Sequence, residues 1–158
     1  MCIRDRPLVV LDRETGFEAD AICQDHRQGV ATAVDYLVSL GHRRIALFGP
    51  NPAIRPGREK LLGYRDGLRR AGLGYDEALV CMLSSAIESS AAQMDAMLAL
   101  AAPPTALIAL GTRLLSGALR SARERGLRIP AQLSVVGIGT DDALSLIHIS
   151  EPTRLGMI

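Results

Sequence analysis

The sequence predicts an α/β fold, a parallel sheet with helices on both faces. Two observations predict it. Short runs of continuous apolar residues alternate strictly along the 158-residue chain with longer segments whose apolar residues recur at helical spacing. The runs are apolar at successive positions, as strands covered on both sides require.

Residues 7–11 open the pattern. Leu8, Val9, Val10 and Leu11 lead to Asp12 and Arg13 and read as a buried strand. Residues 14–24 read as loop, with room for a short extended piece at 21–23. Asp25 stands where a helix cap is wanted, and the helix runs to about Leu40. Val30, Ala33, Val34, Leu37 and Val38 form its single apolar stripe, and Gly41 stops it. Ile45 to Phe48 is the next strand, and 51–56, with Pro52 and Pro56, reads as loop. A helix over 58–71 puts Leu61, Tyr64, Leu68 and Ala71 on one face and ends at Gly72. A weaker strand at 79–83 precedes a helix over 89–101, closed by Pro103 and Pro104. Residues 105–110 are a strand. Thr112 caps a helix to Arg125, with Leu115, Ala118, Leu119 and Ala122 inward and Gly126 as its stop. Residues 133–138 are the last strand. Ligands of such sheets gather at the carboxyl ends of strands, so the positions to watch are 12–13, 49–60, 110–113 and 137–142.

Composition excludes several classes. A net charge of +1 gives no basic surface of the kind a free-standing nucleic-acid binder shows. No apolar run reaches the roughly 18–20 residues of a membrane helix, and no membrane partner is expected. Three cysteines, Cys2, Cys23 and Cys81, are too scattered for a disulfide framework or a zinc site. Ser84-Ser85 and Ser89-Ser90 lack nucleophile-elbow spacing, and no metal-ligand spacing joins His26 to His42. No glycine-rich phosphate loop follows a strand. The chain is therefore read as a non-enzyme without metal or cofactor.

Seventeen of the 18 basic residues are Arg, and Lys60 is the sole lysine, a bias that suggests GC-rich coding. The two ends depart from it. The codons ATG TGT ATA AGA GAC AG, fitting Met1 to Arg6, have a reverse complement that encodes Leu-Ser-Leu-Ile-His-Ile, the residues at 144–149. Both ends resemble one sequencing-library adapter read on opposite strands. Residues 1–6 and 144–158 are therefore expected to be adapter translation and set aside. Residues 7–143 then carry 15 basic and 15 acidic residues.

Three stretches share a resemblance. They are Leu40-Gly41-His42-Arg43-Arg44-Ile45-Ala46-Leu47-Phe48-Gly49, Gly63-Tyr64 with Ala71-Gly72-Leu73, and Pro104-Thr105-Ala106 continued by Gly126-Leu127-Arg128-Ile129-Pro130 and Leu133-Ser134-Val135-Val136-Gly137. Together they look like the effector-binding domain of LacI/GalR-type transcriptional regulators, a periplasmic-binding-protein-like fold. The resemblance implies two α/β subdomains with a sugar or small metabolite between them, preceded by a helix-turn-helix headpiece. It implies that 7–40 is the tail of the first subdomain and 41–143 most of the second, with the headpiece missing.

The resemblance also nominates site residues. Asp25-His26 is similar to the family's Asp-Asn pair, although Asp25 equally fits a plain helix cap. His42-Arg43-Arg44 reads most simply as cations near helix-end carbonyls. The family places a ligand-binding Arg three residues before the Gly of Gly63-Tyr64. Lys60 stands there, with Arg58 nearby, and an ammonium is a point charge rather than a fork. A solvated helix face is the plain alternative for Lys60. Gly111-Thr112 replaces the family's Asn-Asp, and Asp141-Asp142 arrives two positions late, as ligand carboxylates or as solvated loop. These departures argue for a different or less polar ligand.

The implied function is effector binding within a cytoplasmic repressor. The intact protein would be a homodimer reading operator DNA through its headpiece, with the helix over 113–125 contributing to the dimer contact. The alternative is a periplasmic sugar-binding protein of an ABC transporter.

Overall fold

The computed structural model describes residues 8–82 and 87–139. Among them lie six strands, β1 (Val9–Leu11), β2 (Asp20–Ile22), β3 (Ile45–Gly49), β4 (Val80–Met82), β5 (Ala106–Ala109) and β6 (Ser134–Gly137). Four helices accompany them, α1 (His26–Ser39), α2 (Arg55–Arg70), α3 (Ile87–Leu98) and α4 (Thr112–Glu124). Strands β3 to β6 form one parallel sheet in the order β4-β3-β5-β6. Strands β1 and β2 form a separate parallel pair. The α/β class is as expected. The single sheet with strict alternation is not, because β2 follows β1 with no helix between them and pairs only with it.

The central strands have no wet face. Ile45, Leu47, Ala106 and Ile108 point to a layer built by α1 and α2, together with Val30, Val34, Leu37, Tyr64 and Leu68. Ala46, Phe48, Leu107 and Ala109 point the other way, toward Met94, Met97, Leu114, Leu115 and Ala118 of α3 and α4. This is the period of two that puts successive side chains on opposite faces. Helix α1 thus packs with α2 against this sheet.

The helices approach closely where glycine permits it. A Cβ on Gly63 would lie 2.2 Å from the Arg27 carbonyl oxygen, and one on Gly117 would lie 1.8 Å from Ser90 Oγ. Beside Gly63, the buried Tyr64 hydroxyl donates to the Ile45 carbonyl at 2.7 Å and ties α2 to the sheet. Gly41, Gly72 and Gly126 all take positive φ (93°, 66° and 69°) after their helices, as expected of stop residues.

Several sequence expectations need correcting. α2 starts at Arg55, three residues early, because Pro56 occupies its first turn, where a missing N–H costs nothing. α3 likewise begins at Ile87 and ends at Leu98. Gly111, at φ 135°, caps α4, and Thr112 is its first residue, so the expected Thr112 cap is replaced. Strand β1 is not buried: Val9 is 51% exposed and Leu11 67%. Its only partner among the described strands is β2, whose Ile22 is 62% exposed; Val10 between them is partly buried. α4 spends its apolar stripe on α3 and the sheet, leaving Arg113, Arg120 and Arg123 outward.

The motif around His42 has a structural explanation at the amino edge of the sheet. His42 Nδ1 lies 2.9 Å from Thr105 Oγ1, and Nε2 lies 2.9 Å from Ser134 Oγ. Thr105 also donates to the Arg44 carbonyl at 3.4 Å, which leaves its oxygen to accept from Nδ1. Nε2 then accepts from Ser134, so a neutral ring satisfies both contacts. Burial depresses the His42 pKa. Arg44 reaches the Ala102 carbonyl at 2.8 Å and Asp76 at 3.1 Å. These residues fasten strand starts rather than merely neutralising a helix end.

Two outcomes follow. Gly63→Ala should cost about 1–3 kcal/mol in urea unfolding, because the clash is with backbone, although Ala for Gly within a helix would otherwise add roughly 0.5–1 kcal/mol. For His42, both folded and unfolded rings are neutral above the ordinary value of 6.5. Below it the unfolded chain takes the proton first, so stability should fall as pH drops from about 6.5 until the depressed folded pKa is passed. Denaturation midpoints across that range should show this slope, and His42→Gln should flatten it.

Candidate functional site

Strand direction puts the loops after β1, β3, β5 and β6 at carboxyl ends. Asp12 follows β1 in a left-handed conformation, φ 55°, uncommon for a residue with a Cβ but better tolerated by Asp than by most. Its N–H donates to the Ile22 carbonyl at 2.8 Å, which fixes the turn. One carboxylate oxygen pairs with His26 Nε2, and the other accepts from Arg55 Nη1 at 3.1 Å. Asp12 and Arg55 are each about a quarter exposed (26% and 25%), so the pair is partly buried and still screened by solvent.

Burial pushes the Asp12 carboxyl pKa upward. The His26 hydrogen bond and charge, a backbone hydrogen bond at Gln24 and the Arg55 charge together outweigh it and hold the group below its ordinary value. Two residues on, Glu14 accepts from Arg58 at 2.5 Å. The segment after β1 is thus tied to the first turns of α2 by two carboxylate–guanidinium pairs. Lys60, on the same helix, is half-buried. Its pKa is lowered by burial, against which Asp12 pulls upward.

A second part of this edge is apolar. Gly111, Thr112 and Leu115 face Gly137, Ile138 and Gly139 around a shallow dent with room for about one water. Gly111 and Gly139 both take positive φ, and a Cβ on Gly137 would lie 2.9 Å from Leu115. Backbone therefore lines much of the dent.

The residues nominated by sequence divide. His26, Arg58 and Lys60 lie along the segment joined through Asp12, Glu14 and α2. Gly111 and Thr112 line the dent. Asp25 accepts from the Gln28 N–H at 2.9 Å as the cap of α1 and is exposed, which favours its structural reading. Asp141 and Asp142 lie outside the described residues. Sequence reasoning nominated neither Arg55 nor Glu14; Asp12 and Arg55 only fell within the stretches to watch. The signal for Arg55 was available: Pro56 marks a helix start, which places Arg55 on α2 rather than in a loop.

This geometry defines an α/β domain with charged side chains and glycine-rich turns gathered at the carboxyl edge of its strands. Residues 34–153 match the family model described as a periplasmic binding protein-like domain. The chain belongs to that family, and the relatives it resembles are LacI-family transcriptional regulators. It is 34% identical to the HTH-type transcriptional regulator CelR of Thermobifida fusca, over 93% of this chain and 42% of that protein. A regulatory protein of the LacI family from Chloroflexus aggregans superposes with a TM-score of 0.78 at 30% identity, covering 85% of this chain and 49% of the other. A sugar-binding LacI-family regulator from Escherichia coli, solved in complex with phosphate, gives 0.74 at 30%, covering 83% and 48%. The chain thus spans about half the length of these relatives.

Asp12 and Arg55 should be energetically coupled. A double-mutant cycle with Asp12→Asn and Arg55→Gln, read by urea unfolding, should give about 0.5–1 kcal/mol. A coupling near zero would mean that the pair does not hold the segment.

Proposed function

We propose that this chain is the effector-binding part of a LacI-type repressor and that a small sugar-like metabolite binds at the carboxyl edge. The observation that carries the reading is the arrangement around Asp12. A left-handed Asp12 carboxylate, a histidine and cations from α2 gather after β1, and glycines gather after β5 and β6, all at strand carboxyl ends, where such sheets take ligands. The sugar-binding regulator among its relatives supports the ligand class.

Function requires differential binding. A ligand that contacts both Asp12 and the α2 cations rewards one arrangement of the β1 segment against α2 and shifts the population toward it. The shift is passed to a DNA-binding headpiece, and by linkage operator DNA alters effector affinity by the same factor. The working protein is a cytoplasmic homodimer, because such headpieces read paired half-sites. Operator contact belongs to the headpiece, since the net charge of this chain is only +1. Among the described residues no helix is long and apolar enough to cross a membrane. The transporter-protein alternative is disfavoured because the relatives are regulators. The same relatives support a binding rather than catalytic role.

The genomic coding sequence upstream of this domain, read from unfragmented DNA, should encode a helix-turn-helix headpiece. A secretory signal peptide there would overturn the regulator reading.

A further inference from the structure

We draw no further inference here: the strongest candidate, the apolar surface of the β1–β2 pair, where Leu8, Val9, Leu11, Phe17 and Ile22 are at least half exposed, carries nothing because nothing in the structure shows what covers it.

Discussion

Strands β3 and β5 have no solvent-facing side, so each must be covered twice. Ile45 and Leu47 need a layer above the sheet, and Ala46 and Phe48 need one below. A parallel connection supplies such layers, because the chain must cross the sheet to begin the next strand in the same direction. The helix pairs α1–α2 and α3–α4 are the outcome. Close pairing within each is possible because Gly63 and Gly117 leave no Cβ between backbones. The strength of this arrangement is collective: many buried apolar side chains, each worth roughly 1.5–3 kcal/mol when fully removed from water.

That covering divides the molecule into two edges with different duties. At the amino edge His42, Thr105, Ser134 and Arg44 close one another's hydrogen bonds and fix where strands begin. Polar atoms are consumed there. At the carboxyl edge, a half-buried cation stands at Lys60, and Gly111 and Gly139 bring backbone without side chains. A site can be built only where hydrogen-bonding capacity is left over, and the amino edge makes that possible by holding the frame without borrowing from the other side.

Much of the frame was legible in the sequence because two periodicities carried it. The stripe from Val30 to Val38 and the runs at Ile45 and Ala106 reported local spacing that burial later required. The glycine stops were legible for a similarly local reason. The exposure of β1 was not, since a run of four apolar residues looks the same whether or not a layer covers it. Nor was the β1–β2 pairing, which depends on a contact across a loop. The site was legible only in outline. Strand-end logic picked out the loops that hold Asp12 and Gly111, but the partners of Asp12 come from α1 and α2, and no spacing rule predicts which cations will meet a carboxylate across the fold. His42 was under-read for the same reason, its partners lying 63 and 92 residues away.

The small β1–β2 pair has a practical consequence for anyone handling the chain. Leu8, Val9, Leu11, Phe17 and Ile22 stand at least half exposed on a two-stranded ribbon. Such a ribbon is a template for intermolecular strand pairing. Self-association through it would grow with protein concentration and mimic cooperative unfolding during heating. Charged substitutions at Leu11 and Ile22 would improve solubility without touching either buried layer.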